Sequence, residues 1–299
     1  MLVVSLSSGF VYAEVTRKVN LNPDGTAELV FYSEGREIAR QIKDKDGRII
    51  KTIGEIPDGT VKEYDENIKL KYEWNYRSGK REGICRKYYE NGKLKEEFNY
   101  KNDKPEGITR EYYENGKLEA EWNNENCKKE GIFNTYYESG KLKYESNFKN
   151  GKPEGIVKGF YENGNLKGET NYRNGKPEGI GKIYYESGEL KEKRNYKNGE
   201  KEGIGKDYYK SGMLRGKYVY KNDKLEGIQK FYHENGKLGA EGNYVNGKKE
   251  GIIKIYSEDG RLKIEQNYVD DKKHGINKAY YDNGKLMGEV NFIDAHIQP

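Results

Sequence analysis

The side chains that most often act as catalytic bases, nucleophiles or metal ligands are few in this chain and far apart. The three histidines, His233, His274 and His296, lie far from one another and at unrelated positions. The two cysteines, Cys85 and Cys127, lack the spacing of a zinc site and are too few for a disulfide framework. The sequence has no motif of a serine hydrolase, a nucleotide-binding loop, a zinc protease or a protein kinase. We therefore expect no catalytic site, no metal site and no cofactor, and we predict that the protein is not an enzyme.

Carboxylates are abundant, but they recur at fixed intervals instead of forming one cluster. The position of Glu73, Glu97 and Glu121 holds Glu in eight of ten copies of a 24-residue unit. The position two residues later holds Asn in nine of ten copies and departs only at Val219. Equivalent side chains in adjacent hairpins are about 9.5 Å apart, which is too far to share a metal ion. A structural role is favoured over a row of metal sites.

One group of aromatic residues could bind a partner. Trp74, Phe98 and Trp122 occupy equivalent positions in three successive copies and include both tryptophans of the chain. In the later copies this position holds Ser146, Thr170, Arg194, Tyr218, Gly242, Gln266 and Val290. Two interpretations stay open: the N-terminal segment folds over the three rings, or the rings form an exposed strip that binds a protein.

The elements that would position these residues follow from the repeat. Glycines recur every 24 residues without insertion or deletion, and a unit reads approximately G-I-x-K-x-Y-Y-E-N-G-K-L-K-x-E-x-N-Y-x-N-G-K-x-E. Two glycines or more in each unit would interrupt any useful helix, whereas Asn-Gly between short Tyr-rich runs is a strong β-hairpin signal. The sequence predicts an all-β fold, an elongated solenoid-like stack of 24-residue β-hairpin repeats.

Four columns of the repeat vary little, and we expect them to supply the core. One is aromatic in every unit, beginning with Tyr64, and another is Leu in every unit, beginning with Leu70. A third, beginning with Tyr76, is aromatic in nine units and departs only at Asn124, and the fourth is the Ile that follows each glycine from Gly83 onward. A hairpin cannot bury its apolar face alone, so stacking should bury these columns between neighbouring units.

Composition and charge narrow the classes of partner. Leu, Ile, Val and Phe make up 19% of the residues, and 35% are charged, which excludes a membrane-spanning protein. The formal net charge is +5 with both signs interspersed, and no basic patch is evident in the sequence. Nucleic acid is therefore an unlikely class of partner, a protein is the partner we expect, and a membrane surface or a glycan is the alternative.

The segments outside the repeats have separate interpretations. Met1–Ala13 has no charged residue and ends in Val-Tyr-Ala, as in a secretory signal peptide that lacks its basic leader. Its alternative is an ordinary first strand. Residues 14–57 contain two turn signals and should form β-hairpins that cap the open edge of the array. Residues 58–293 hold about ten repeats, and residues 294–299 form a tail.

The repeat resembles the MORN repeat, and more closely its variant in bacterial proteins described as YwqK-family antitoxins. The likeness rests on Tyr88–Lys95 and Asn150–Gly155 and their copies, and it covers about four-fifths of the chain. It implies twisted sheets of β-hairpins that bind proteins or associate with membranes. We therefore expect a secreted or cell-envelope scaffold that mediates protein–protein interaction, with localisation in the cytoplasm if the first segment is not a signal. The alternatives are an antitoxin or immunity protein and a binder of cell-wall glycans.

Overall fold

The computed structural model describes residues 13–293 and 296–297, and every regular element among them is a β-strand. The chain divides into two compact units, Met1–Gly140 and Lys141–Pro299, which we call unit 1 and unit 2. Over the described ranges, no helix has the length and apolar character needed to cross a membrane. The predicted signal segment lies outside the described residues apart from Ala13.

Four strands precede the repeats and form an antiparallel meander. They are β1 (Val15–Leu21), β2 (Ala27–Ser33), β3 (Arg36–Lys43) and β4 (Ile49–Gly54). Strand β1 also pairs in parallel with the first repeat strand, because Val15 lies opposite Val61. The segment predicted as two separate hairpins is thus one continuous sheet, and it covers the edge at which the repeats begin.

Each repeat contributes two main strands, and most repeats add a two-residue strand. The first strands are Gly59–Tyr64, Gly83–Tyr88, Gly107–Tyr112, Lys128–Tyr136, Lys152–Phe160, Gly179–Tyr184, Gly203–Tyr208, Gly227–Tyr232, Gly251–Tyr256 and Gly275–Tyr280. The second strands are Leu70–Arg77, Leu94–Lys101, Leu118–Glu125, Leu142–Lys149, Leu166–Arg173, Leu190–Lys197, Leu214–Lys221, Leu238–Val245, Leu262–Val269 and Leu286–Ile293. The short strands are Lys80–Arg81, Lys104–Pro105, Lys176–Pro177, Glu200–Lys201, Lys224–Leu225, Lys248–Lys249, Lys272–Lys273 and His296–Ile297. The predicted all-β stack of hairpin repeats is confirmed.

Two kinds of turn connect these strands. Within a hairpin, the Gly92 amide donates to the Tyr89 carbonyl at 2.9 Å, and the Lys93 amide donates to the Asn91 side-chain oxygen at 3.0 Å. Between hairpins, Asn150 and Gly151 both have positive φ, 53° and 77°. This second turn is the Asn-Gly turn whose twist suits an antiparallel pair.

Tyrosine hydroxyls connect several neighbouring repeats. The second Tyr of the Tyr-Tyr pair donates to a backbone carbonyl 23 residues further on. These bonds join Tyr89 to Tyr112, Tyr113 to Tyr136, Tyr161 to Tyr184, Tyr185 to Tyr208 and Tyr209 to Tyr232, at 2.7–2.9 Å. His233 occupies the same position, and its Nε2 lies 2.9 Å from the Tyr256 carbonyl oxygen. This histidine is therefore a structural member of the array.

The two faces of the sheet differ in kind. One face carries the positions equivalent to Val61, Glu63, Tyr72, Trp74 and Tyr76, and we call it the packed face. It contains most of the buried side chains, including the unit 1 core of Leu29, Phe31, Ala39, Ile56, Val61, Trp74, Tyr76 and Cys85. The opposite face, which we call the charged face, carries a row of Lys or Arg and Glu. Side chains alternate between the two faces along each strand.

Three of the four predicted core columns do not form a core, and the aromatic column that begins with Tyr64 is half-buried in every repeat. The Ile after each glycine lies on the charged face and is 44–66% exposed, from Ile84 at 44% to Ile132 at 66%. The Leu column is only half-buried, and Leu286 is 48% exposed. The prediction was wrong because the residue that follows each Ile faces the packed side instead. That position is buried at Val61, Cys85 and, further along, Val157.

The packed face is filled by residues that vary from repeat to repeat but complement one another in size. Gly205 lies opposite Tyr218, and a Cβ at Gly205 would meet the Arg194 side chain at 2.9 Å. Gln229 lies opposite Gly242, where a Cβ would lie 2.0 Å from the neighbouring Ile253 side chain. A large residue on one strand thus requires a small one nearby, because the interior is close-packed.

A pair of neighbouring substitutions tests this assignment of faces. Val157→Ala should lower the free energy of unfolding by about 2 kcal/mol, because two buried methyl groups are lost. Ile156→Ala removes a larger side chain that is 58% exposed, and should cost less than about 1 kcal/mol. Denaturant melts of both variants measure the difference, and a larger loss at Ile156 would reverse the faces.

Candidate binding groove in unit 1

A groove opens on the packed face across the first three repeats. Its volume is about 330 Å³. The lining side chains are Tyr72, Trp74, Lys87, Glu96, Phe98, Tyr100, Pro105, Thr109, Trp122 and Asn124. All three residues of the sequence-predicted aromatic group, Trp74, Phe98 and Trp122, therefore line one groove.

Trp74 lies at the end of the groove nearest the N-terminal sheet and is largely covered. Its side chain is 8% exposed, and the guanidinium carbon of Arg17 lies 4.2 Å from the centroid of its ring system. Tyr72 stacks against it with a centroid distance of 4.9 Å, and the indole Nε1 donates to Glu63 at 3.3 Å. This ring is part of the unit 1 core, as the interpretation with a covering N-terminal segment expects.

Phe98 and Trp122 are half-buried and belong to the open part of the groove. The Phe98 centroid lies 5.7 Å from that of Trp74 and 5.6 Å from that of Tyr100, so three rings form one continuous aromatic wall. Trp122 packs on Phe133 at 6.0 Å, and the Lys129 ammonium lies 4.1 Å from its ring centroid. The N-terminal sheet thus covers Trp74, whereas Phe98 and Trp122 stay accessible from the groove.

Asn124 is the residue that leaves the groove open at its far end. It occupies the column that is aromatic in the other nine repeats, beginning with Tyr76 and Tyr100. Its Nδ2 donates to Thr109 Oγ1 at 2.9 Å. The shorter side chain leaves space that a tyrosine ring would fill, and it places an amide among aromatic rings.

The charged groups at the groove have altered titration. Burial raises the pKa of Glu96, and the nearby Lys87 ammonium, 4.0 Å away, partly offsets that effect. Burial lowers the pKa of Lys129. The groove therefore combines an apolar wall with a few polar groups, which is the usual composition of a binding site.

The described residues contain no group of three or more His, Cys, Asp or Glu side chains placed to hold a metal ion. Cys85 is buried and Cys127 exposed, and both are free thiols. Burial raises the pKa of the Cys85 thiol, which disfavours the reactive thiolate.

Comparison with known protein families matches the chain ten times to the MORN repeat variant. The matches cover residues 57–78, 81–102, 105–124, 129–150, 153–174, 177–198, 201–222, 225–246, 249–270 and 273–294. The MORN repeat itself matches residues 241–252. These matches concern the repeat, and the finer likeness to YwqK-family antitoxins rests on the sequence alone.

Two further comparisons add little. No curated protein matches the chain. Among solved structures, the chain is similar to the crystal structure of a protein from Lactobacillus plantarum, with 13% identity over 94% of this chain and 85% of that chain. The TM-score of 0.14 is too low for this likeness to support any conclusion.

Proposed function

The chain belongs to the MORN repeat variant family, and we propose that it is a non-enzymatic repeat scaffold that binds another protein through the groove of unit 1. The observation that supports this most is the coincidence of two departures from the repeat at one place. The large rings Phe98 and Trp122 occupy a position that has no aromatic ring in six of the seven later repeats, and Asn124 replaces an otherwise constant aromatic ring. Together they leave an aromatic groove open.

The chemistry of the groove suits a protein side chain. Aromatic residues are enriched where protein interfaces have most of their binding energy, and such residues pair with pockets that exclude water. A volume of about 330 Å³ is at the small end of ligand sites, and it suits one or two apolar side chains of a partner. The Asn124 amide and the Thr109 hydroxyl can orient a backbone or polar group beside them.

We place this activity outside the cytoplasm, on the strength of the uncharged Met1–Ala13 segment alone. The antitoxin and glycan-binding alternatives differ in the molecule that is bound. They are therefore separate outcomes of the same capture experiment: a toxin or a cell-wall fraction would be retained in place of another class of protein.

Two substitutions in the groove test the proposal. Trp122→Ser introduces the residue found at Ser146, and Asn124→Tyr restores the ring found in nine repeats. Each should weaken partner binding by at least about 1–2 kcal/mol, roughly five- to thirtyfold, because Trp122→Ser removes an aromatic wall of the groove and Asn124→Tyr fills its space. Binding is measured with the immobilised chain on extract and medium of the source organism, then by titration of the retained protein.

The matched control is Ile156→Ser, which removes an exposed apolar side chain from the charged face of unit 2. It should retain the partner at the wild-type level. Thermal melts of all three variants separate lost binding from lost folding. Retention of the same protein by both groove variants at wild-type affinity would exclude the groove as the binding site.

A further inference from the structure

The charged face of most repeats carries a row of alternating charges. Arg86 lies directly opposite Glu97, and the Arg86 Nε is 3.1 Å from the Glu97 Oε2. Lys230 lies opposite Glu241 at 3.4 Å, and Lys254 pairs with Glu265 at 3.7 Å. Each strand thus offers a charge that its neighbour neutralises, as cross-strand pairs in stable sheets do.

Asn134 replaces a basic residue of this row in the fourth repeat, opposite Glu121. Like charges lie opposite one another in this row at only one place among the described strands, in the sixth and seventh repeats. Lys182 lies opposite Lys193, Lys193 opposite Lys206, Lys206 opposite Lys217, and Lys217 opposite Lys230. We call these five residues the lysine row. Adjacent strands are about 4.8 Å apart, so the row spans about 19 Å across the sheet. Four like-charge pairs in direct opposition are destabilising, and the repeat's own pattern would avoid them.

Only the ends of the lysine row are neutralised. Lys182 Nζ lies 2.8 Å from Glu169, and Lys230 pairs with Glu241. The side chains of Lys193, Lys206 and Lys217 have no carboxylate within ion-pair distance in the part of the chain that the structure describes. Residues 203–226, the seventh repeat, contain six basic and three acidic residues. Three half-exposed ammonium groups therefore face solvent side by side.

Further departures from the repeat occur at the same place. Lys193 and Lys217 are the two positions where the Glu column fails, and Val219 is the one position where the Asn column fails. In four other repeats the first Tyr of the Tyr-Tyr pair donates to the Glu of the preceding repeat, as Tyr88 does to Glu73 at 2.5 Å. Tyr208 and Tyr232 face lysines instead, and their hydroxyls have no hydrogen-bond partner among the described residues.

We propose that the lysine row, with the Tyr208 and Tyr232 hydroxyls, binds an acidic segment of a protein partner. Three ammonium groups and two phenol groups are all hydrogen-bond donors without an internal acceptor, and carboxylates would satisfy them. This inference rests on the proposed scaffold function and adds a second contact surface, in unit 2, with the chemistry of what it recognises. The cost of four like-charge pairs is offset when the anionic segment is bound.

The apolar side chains beside the row favour a polypeptide over other polyanions. Ile204 is 52% exposed and lies opposite Val219, and Ile228 is 58% exposed. An extended acidic strand has carboxylates on one side about 6.8 Å apart and can add apolar side chains to the same surface. Single-stranded nucleic acids are bound instead by stacking on exposed aromatic faces, whereas Tyr208 and Tyr232 are half-buried and the exposed apolar side chains beside the row are aliphatic.

The double variant Lys193→Glu/Lys217→Glu is the decisive one, because it restores the alternation that most other repeats already have. Each new carboxylate would lie between two lysines, so the fold should be retained and the melting temperature unchanged or raised. The probe is a labelled peptide in which glutamate alternates with valine, titrated by fluorescence anisotropy. The full wild-type chain should bind it with an affinity that falls as salt rises, and the double variant should lose at least tenfold.

The matched control is Lys152→Glu/Lys176→Glu, which changes the net charge equally at two exposed positions of a column that already accepts Glu200. It should keep wild-type peptide binding. Equal losses in the two double variants would reduce the effect to net charge and overturn the proposal. Tighter binding to oligo(dT) or to vesicles that contain phosphatidylserine, lost in the same variant, would also overturn it in favour of those partners.

The peptide titration tests the lysine row independently of the capture experiment that tests the groove. The peptide titration uses a defined probe and variants in unit 2, whereas Trp122→Ser and Asn124→Tyr act in unit 1. If the groove variants lose the captured partner and the wild-type chain does not bind the peptide, the lysine-row proposal is excluded and the groove proposal stands. If peptide binding depends on Lys193 and Lys217 but the groove variants capture the partner normally, the groove proposal is excluded and the lysine-row proposal stands.

Discussion

Replacing Arg17 by methionine should lower the free energy of unfolding of unit 1 by about 3–5 kcal/mol, because it leaves a buried carboxylate without its cation. Arg17 Nε donates to Glu63 Oε2 at 2.7 Å, and the two side chains are 7% and 9% exposed. Its Nη1 donates to the Tyr76 hydroxyl at 2.9 Å. Once Arg17 is removed, the longer hydrogen bond from Trp74, at 3.3 Å, is the one that the Glu63 side chain retains among the described residues.

The Arg17 side chain adds a buried ion pair to the strand pairing and the shared core that join the N-terminal sheet to the first repeat. Strand β1 carries Arg17 beside Glu63 in the parallel pairing, and the guanidinium lies over the Trp74 ring. We therefore expect the N-terminal strands to exchange their amide hydrogens faster in the variant, with the repeats of unit 2 unaffected. Denaturant melts followed by tryptophan fluorescence report on unit 1, because both tryptophans lie in it.

The control is Lys18→Met, one residue away and exposed, which should cost less than about 0.5 kcal/mol. The double variant Arg17→Met/Glu63→Met should recover much of the lost stability, because removal of both members of a buried pair is often neutral. An Arg17→Met melt equal to that of Lys18→Met would show that the buried pair does not hold the N-terminal sheet in place.

The sequence alone was sufficient for the strands but not for the faces. The constant 24-residue spacing and the Asn-Gly turns predict each hairpin, because turn chemistry is local. Which columns are buried depends on the register between strands, and a one-residue difference moves a side chain to the other face. The Ile column was therefore misassigned, and the buried column at Cys85 and Val157 went unnoticed because its members vary.

The candidate sites also depend on strand pairing and packing, which the sequence does not show directly. Trp74, Phe98 and Trp122 could be grouped from their spacing, but only the packing shows that the N-terminal sheet covers Trp74. The lysine row does not stand out as a cluster in the sequence, because Lys193, Lys206 and Lys217 are separated by 11 to 13 residues. The expectation that the chain has no basic patch was wrong for this reason: strand pairing brings together charges that the sequence disperses.

Asp207→Ala is the second substitution with a large expected effect, about 3 kcal/mol or more from the free energy of unfolding of unit 2. Asp207 is 5% exposed on the packed face, and its Oδ1 lies 2.6 Å from Arg194 Nη2. This contact is an ion pair but not a hydrogen bond, because the N–H group does not point at Oδ1. The Tyr218 hydroxyl donates a hydrogen bond to the other carboxylate oxygen, Oδ2, at 2.9 Å. Arg215 approaches the same oxygen at 3.3 Å from a more exposed position.

The arrangement depends on space that glycines provide. Gly205 leaves room for the Arg194 side chain, whose Nη1 also donates to the Lys206 carbonyl at 2.9 Å. Burial disfavours the charge of Arg194, but Asp207, with smaller contributions from Tyr220 and Glu192, outweighs this effect and raises the pKa of that guanidinium. Without Asp207, a guanidinium whose side chain is 12% exposed would keep only the more distant Glu192 carboxylate, at 3.5 Å, as an anionic partner among the described residues.

Urea melts of three variants decide whether this cluster stabilises unit 2. Asp223→Ala removes an exposed carboxylate that accepts only the Lys201 amide through its side chain, and should cost less than about 1 kcal/mol. Asp207→Ala/Arg194→Thr introduces residues that equivalent positions already hold at Ala279 and Thr170, and should recover part of the loss because the poorly exposed guanidinium is removed together with its main carboxylate. If Asp207→Ala unfolds at the same urea concentration as Asp223→Ala, then the Asp207–Arg194 pair does not stabilise unit 2.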